Sequence, residues 1–344
     1  MVPTLPIPTS SLYLQRLITI PLIFVALSLC LSTGPFLLLV TLGVDLVLQR
    51  RFALSRGLAF LMCVVVGECV GVSLATLLWV RWKLTGQSDD AYLRANFDLQ
   101  TGWTSALLGV VRVLYQMNLT VTGAEVLKPG PYLVFIRHAS IADTMIPGAV
   151  LSRTTGIRLR YVLKRELLWD PCLNIVGCRL PNYFVDRDSR EGEKEIEAIR
   201  QLGRGLDDDE GVLIYPEGTR YTPTKFARAL ERMAQSHPEL VDKARQLRQI
   251  LPPRLGGPVA LLESQPPLDV VFCAHVGFEG ATSLAEIASG SLIGRVIQVK
   301  FWRVKAAEIP VEAGARVSWL YDEWSKVDEQ VCRWLDLIPE GQAP

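Results

Sequence analysis

Histidine is scarce in this chain: His138, His237 and His275 are the only three in 344 residues. A metal centre built on several histidines is therefore not expected. Seven cysteines occur with no C-x-x-C pair, and Cys30, Cys63 and Cys69 lie in apolar segments. They read as reduced and structural, not as a disulfide or zinc framework. The formal net charge of +1 shows no basic excess, so nucleic acid is not an expected partner. There is no internal repeat and no low-complexity tract.

What the chain has is apolar residues, 49% of it, spread unevenly. Residues 17–48 carry a single charge, Asp45, and are interrupted at Thr33-Gly34-Pro35, so the run reads either as one kinked helix or as two short halves, each too short to cross a bilayer alone. Residues 57–80 form a second run whose one charge is Glu68, long enough for the roughly 20 residues a bilayer requires. Residues 1–83 thus read as a hydrophobic membrane anchor. A signal peptide is the competing reading, but no small-x-small cleavage site follows the first run. Arg16, then Arg50, Arg51 and Arg56, then Arg81 and Lys83 flank every apolar run. Two full crossings would put the middle cluster opposite the others, against the positive-inside tendency. Hairpins dipping into one leaflet keep all of them on the cytoplasmic side, and the rest of the chain with them.

Residues 84–118 read as a polar linker over 84–100 followed by an amphipathic helix over 103–117. Residues 119–338 alternate strands and helices, and 339–344 are a short tail. Strands are expected at 119–122, 132–136, 158–163, 183–185, 211–215, 269–274 and 296–304. Helices are expected at 144–151, 194–206 and 224–235, with a closing amphipathic helix marked by Val317, Leu320, Tyr321, Trp324, Val327, Val331 and Leu335. The alternation implies an α/β fold with a largely parallel central sheet flanked by helices.

Two short blocks carry the chemistry. Arg137-His138-Ala139-Ser140-Ile141-Ala142-Asp143 sets a histidine five residues before an aspartate, just past a strand. Histidine suits removal of a hydroxyl proton because its free pKa of about 6.5 lies near working pH. An aspartate bonded to Nδ1–H fixes the tautomer and stabilises the imidazolium. The competing reading is a loop histidine and an unrelated acid. Pro216-Glu217-Gly218-Thr219-Arg220 follows another strand. Its turn offers N–H groups to an anion, and Arg220 can grip a phosphate through two parallel hydrogen bonds. Glu217 can buttress that arginine or hold a substrate hydroxyl. The competing reading is an ordinary turn with a surface arginine. Lys164, Arg187 and Arg254 also follow strand ends or lie in Gly/Pro-rich turns, the edge where open α/β sheets place ligands. His275 ends a strand and reads as structural, although it could line the site.

Together these blocks resemble the glycerolipid acyltransferases that include the 1-acyl-glycerol-3-phosphate (lysophosphatidate) acyltransferases. That family's order is matched by His138 with Asp143, then Tyr183 to Arg187, Pro216 to Arg220, and the apolar strand Val270 to Ala274. Residues 217–222 with Lys225, and Leu251-Pro252-Pro253-Arg254, are similar to the branch that holds lysophosphatidate and lysocardiolipin acyltransferases, as is the tail around Trp319 and Trp324. The resemblance covers about residues 119–336. It implies transfer of a fatty acyl group from acyl-CoA or an acyl carrier protein to a lysophospholipid hydroxyl, in contact with a membrane. Lysophosphatidate, giving phosphatidic acid, is the first choice of acceptor.

His138 would be the base and Asp143 its orienting acid, with no covalent acyl-enzyme, no metal and no cofactor beyond the co-substrate. Glu217, Gly218, Thr219, Arg220, Arg187, Lys164, Arg254 and Arg137 are the expected substrate contacts. One departure is Arg137, which stands where the family usually has Asn; a cation there could bind the acyl donor's phosphates or lower the histidine's pKa. The rivals are a lipid-binding scaffold on the same fold and a metal-dependent hydrolase using His138 and Asp143 as ligands.

Overall fold

The computed structural model describes residues 9–186, 192–279, 281 and 284–336. In chain order the helices and strands are α1 (Thr9–Leu48), α2 (Ala53–Thr85), α3 (Asp89–Tyr115), β1 (Asn118–Thr122), β2 (Tyr132–Ile136), α4 (Arg153–Thr155), β3 (Arg158–Lys164), β4 (Tyr183–Val185), α5 (Gly192–Leu202), β5 (Glu210–Ile214), α6 (Pro223–Ser236), α7 (Val241–Arg245), α8 (Gly256–Leu262), β6 (Asp269–Val276), α9 (Leu284–Ser289), β7 (Val296–Val304) and α10 (Ala313–Asp336). They divide into two compact units. The first comprises Met1–Asn118, Thr144–Ser189 and Ser283–Arg295, the second Leu119–Asp143, Arg190–Thr282 and Val296–Pro344.

The first unit is built on the three long helices. Of the two readings of the first apolar run, the single helix holds: α1 runs on through Pro21 and Pro35. A proline removes one backbone bond, and in so apolar a stretch the remaining N–H and C=O groups are best satisfied by staying helical. Asp45, the lone charge of that run, has a structural use. It is 2% exposed and accepts from Leu54 N (3.2 Å), Ser55 N (2.8 Å) and Ser55 Oγ (2.7 Å), satisfying the start of α2. The expected linker over 84–100 is also corrected. Ser88 accepts from Ala91 N at 3.3 Å and caps α3, with Asp89 and Asp90 in its first turn. The polar run is a helix start, where short acceptors and negative charge are favourable. The expected helix over 144–151 is instead a 3₁₀ turn, Ala142–Met145, and a π-helical turn, Pro147–Ser152, leading into α4. Gly148 lies there because a Cβ would come within 2.1 Å of Thr104 Oγ1 on α3. In this unit β3 and β4 pair in parallel, Val162 opposite Tyr183.

The second unit holds strands in the order β1-β7-β6-β2-β5. Strand β2 pairs in parallel with both β5 and β6, and β7 returns antiparallel to β6. All five residues of β2 are at most 1% exposed. A strand covered on both faces explains the unbroken run Tyr-Leu-Val-Phe-Ile. On α10, Leu320, Tyr321, Trp324, Val327 and Val331 are likewise buried to within 1%, the stripe expected of an amphipathic closing helix. The fold is α/β with a mostly parallel sheet, preceded by long apolar helices.

Candidate active site

Register determines which residues meet. Phe135 lies opposite Ile214 on β5, and Ile136 lies opposite Cys273 on β6. Counting on, residues 138, 217 and 275 reach the same level at the carboxyl ends of three adjacent strands. The edge where parallel sheets place their ligands therefore holds His138 at its centre, with Glu217 and His275 on either side.

His138 Nδ1 is 3.0 Å from Asp143 Oδ1. The other carboxylate oxygen, Oδ2, accepts from Ala139 N (2.6 Å) and Ser140 N (2.7 Å), so the loop between the two residues is folded around the aspartate. Ser140 Oγ donates to Ala281 O (2.9 Å) and accepts from Ala142 N (3.0 Å), tightening the same turn. Burial alone would raise the Asp143 carboxyl. The His138 imidazole, by charge and hydrogen bond, His275 and the Ser140 N–H outweigh burial and hold it below the usual carboxylate range. The His138 ring stands 4.5 Å from the Tyr215 ring. Among the described residues none hydrogen-bonds Nε2, which leaves that nitrogen for a reactant.

Glu217 differs from its sequence reading. It neither buttresses Arg220 nor faces outward to hold a substrate hydroxyl; it is 2% exposed, and its oxygens accept from His138 N (2.7 Å) and Leu251 N (2.8 Å). Burial pushes its carboxyl up to about 8, against the pull of those N–H groups and of the Arg137 charge. Its work is to tie the histidine loop to the Leu251-Pro252-Pro253-Arg254 segment. That segment is held at several other points. Asp328 accepts from Arg248 N (2.9 Å) and Gln249 N (2.7 Å), Trp324 Nε1 donates to Leu251 O (3.0 Å), and Arg254 N donates to Pro216 O (2.8 Å).

Gly218 has φ +66°, and a Cβ there would stand 2.9 Å from Arg254 Cδ. A glycine is needed both for the left-handed turn and for the arginine that lies across it. Lys225 Nζ donates to Thr219 Oγ1 (3.1 Å) and Arg220 O (3.2 Å), fixing the rest of the turn, and Thr222 caps α6 by accepting from Lys225 N (3.2 Å). Arg254 is exposed and Arg220 half-buried. Two cations thus flank a backbone turn at the edge that carries His138.

Arg137 is corrected most sharply. It is 2% exposed, so it does not present itself to a donor's phosphates. Its guanidinium donates to His275 O (2.6 Å), Glu279 Oε1 (2.6 Å) and Gln249 O (3.3 Å). Lys164 ends β3 in the first unit and is half-buried. Arg187 lies outside the described residues. Sequence reasoning missed Glu279 and gave His275 no partner. The signal for His275 was the register of β6 against β2. Glu279 had none, because its partner is 142 positions away.

A family model described as Acyltransferase matches residues 118–252. Over 236 residues the chain is 24% identical to the mouse (Mus musculus) 1-acyl-sn-glycerol-3-phosphate acyltransferase epsilon, covering 62% of this chain and 63% of that protein. Over 115 residues it is 27% identical to the 1-acyl-sn-glycerol-3-phosphate acyltransferase of Saccharomyces cerevisiae, covering 32% and 35% respectively. The chain therefore spans less than two thirds of either relative. The fold is similar to the crystal structure of the 1-acyl-sn-glycerophosphate acyltransferase PlsC from Thermotoga maritima, with a TM-score of 0.54 at 14% identity, over 82% of this chain and 98% of that one. The matched segment encloses His138, Asp143 and the Glu217 turn, and over it the chain is similar to the glycerolipid acyltransferases.

Proposed function

We propose that this chain is a membrane-bound O-acyltransferase that moves a fatty acyl group from acyl-CoA, or an acyl carrier protein, to the free hydroxyl of a lysophospholipid. The acceptor is 1-acyl-glycerol-3-phosphate, the compound that the names of the similar proteins carry, and its acylation gives phosphatidic acid. The observation that carries the reading is the pair His138 and Asp143 at 3.0 Å, with the acid buried and, among the described residues, no hydrogen bond to the histidine's other nitrogen. Nε2 takes the acceptor's hydroxyl proton as its oxygen attacks the thioester carbonyl. The C–S bond then breaks, and the imidazolium returns the proton to the departing thiolate. Asp143 offsets the imidazolium charge throughout. A thiolate leaves readily, so one base and good positioning suffice. No metal or cofactor enters the scheme.

The flanking Arg254 and Arg220 suit a phosphate-bearing acceptor. On the membrane side, α1 and α2 are long and apolar enough to cross a bilayer by length and composition. Contacts inside the first unit favour shallow insertion into one leaflet instead. Along α2, Arg56 donates to Leu114 O, Glu68 accepts from Cys172 N (3.2 Å) and Ala75 O accepts from Arg179 (2.8 Å). Those points span about 29 Å of helix at 1.5 Å per residue, nearly the whole ~30 Å hydrocarbon core. An upright α2 would carry these polar partners into lipid. With a shallow hairpin the arginines and the catalytic residues all stay on the cytoplasmic face. The test of the reading is a panel of lysophospholipid acceptors with oleoyl-CoA, products identified by mass spectrometry. Phosphatidic acid should dominate; no acylated product from any acceptor would overturn the assignment.

A further inference from the structure

Behind the His138–Asp143 pair lies a closed set of contacts that the reaction scheme does not use. Arg137 and His275 exchange bonds. The Arg137 side chain donates to the His275 carbonyl (2.6 Å), and His275 Nε2 lies 2.9 Å from the Arg137 carbonyl. Because that carbonyl can only accept, the proton of the neutral ring is on Nε2. The same Nε2 is 3.7 Å from Asp143 Oδ2. Glu279 closes the set: Oε1 takes Arg137 at 2.6 Å and Oε2 takes Gly277 N at 2.6 Å.

We propose that Arg137, His275 and Glu279 are positioning residues that hold the strand end under His138 while keeping Asp143 the only uncompensated charge beneath it. The argument rests on charge and geometry, and on the reading of His138 as the base. A cation one residue from the base would oppose its protonation by Coulomb repulsion. Glu279 cancels that cation at contact distance, inside the protein, where solvent does not. The other ionisable groups facing Asp143 and His138 add no charge at neutral pH. Burial pushes the His275 imidazole down, the Cys273 thiol up and the Glu217 carboxyl up to about 8, and Tyr215 presents its ring. The sum is one negative charge, on Asp143, which is what an imidazolium forming on His138 requires. The Arg137 that departs from the family pattern is thus compatible with base catalysis because it comes with Glu279.

The experiment compares wild type, Glu279→Gln, Arg137→Met and the double variant Arg137→Met/Glu279→Gln. With only three histidines in the chain, ¹³C-histidine labelling and a His237→Gln background leave two ring signals to follow by NMR in detergent micelles. In Glu279→Gln the uncompensated Arg137 cation should lower the midpoint of the His138 signal by about one pH unit or more. The acid limb of kcat/KM with oleoyl-CoA and 1-oleoyl-lysophosphatidate should move by the same amount. In the double variant, which removes both charges, the midpoint should return to within about 0.3 units of wild type. Should Glu279→Gln not fold, Arg137→Met carries the test in the opposite direction, with a raised midpoint. An unchanged midpoint in the foldable single variants, or no return in the double variant, overturns the proposal. The NMR arm needs no turnover, so a wild type inactive toward the acceptor panel would defeat the functional reading without deciding this one.

Discussion

His138 and Asp143 meet at 3.0 Å with unequal burial: the aspartate side chain is wholly enclosed and the histidine side chain keeps 14% of its exposure. The aspartate's second oxygen is spent on two backbone N–H groups, so its position is set before any substrate arrives. If His138 is the base, its removal should slow the chemistry sharply while the protein still folds. His138→Ala is expected to lower kcat by about 10²–10⁴-fold in a protein that still folds, with a lowered thermal unfolding midpoint because the buried Asp143 loses its partner. An equal rate in the oleoyl-CoA assay would remove His138 from the mechanism.

Asp143 should behave differently, because it serves the fold as well. Its folded pKa lies below the ordinary 3.8, so its contribution to stability is complete above about pH 4 and is lost as pH falls through the folded value. Asp143→Asn removes that contribution. The stability gap between wild type and Asp143→Asn, read from thermal melts across pH, should be constant near neutrality and narrow below about pH 4. A gap that widens on acidification would reverse the sign assigned to this group.

Glu217 holds two loops at once, and its loss should be felt as stability. Glu217→Ala leaves the His138 and Leu251 N–H groups buried without acceptors, at a cost of about 2–4 kcal/mol. Differential scanning calorimetry in micelles reads this directly. A melt within one degree of wild type would mean that water replaces the carboxylate.

The contrast between Glu217 and Arg137 shows what one-dimensional sequence carries. Strands buried on both faces, such as Tyr132–Ile136, announce themselves as unbroken apolar runs, and β4 and β7 were legible to the residue. Helix α10 was legible because one stripe of it is buried. The start of α3 was not, since Ser88-Asp89-Asp90 has the composition of a loop and only its capping geometry makes it a helix. The continuity of α1 through Pro35 depends on an apolar surrounding that no local signal records. Residue types indicated where chemistry could occur, but not which charges face inward. Glu217 and Arg137 sit in blocks that read as ligand contacts, and both turn into the protein, toward partners from distant segments.

Gly218 and Arg254 should act as one element. Alanine at 218 must adopt φ +66°, at about 1–2 kcal/mol, and displaces the Arg254 side chain that lies 2.9 Å from its new methyl group. If Arg254 grips the acceptor's phosphate, Gly218→Ala and Arg254→Ala should each raise KM for lysophosphatidate by about 10-fold or more, the worth of a hydrogen bond to a charged group. KM for a neutral acceptor such as monoacylglycerol should stay within about 2-fold, because it offers no phosphate for the guanidinium to pair with. Equal losses on both acceptors would make Arg254 a structural residue.

The hairpin is the last matter that geometry bears on. Arg16 near the start of α1 donates to Asn174 Oδ1 at 2.6 Å, while the turn from α1 to α2 carries exposed Arg50 and Arg51. If α1 and α2 crossed the bilayer, those two ends would face opposite compartments. If they dip into one leaflet, both face the same one, and the roughly 60 Å of α1, twice the ~30 Å core, lies along the membrane instead of through it. Single cysteines introduced in a cysteine-free background at Gln15 and at Gln49 distinguish the two cases. In sealed inside-out vesicles an impermeant maleimide should label both positions, and in right-side-out vesicles neither. Labelling of the two positions from opposite sides would establish a crossing, and α2 would then have to carry Glu68 and the Ala75–Arg179 contact across the hydrocarbon core.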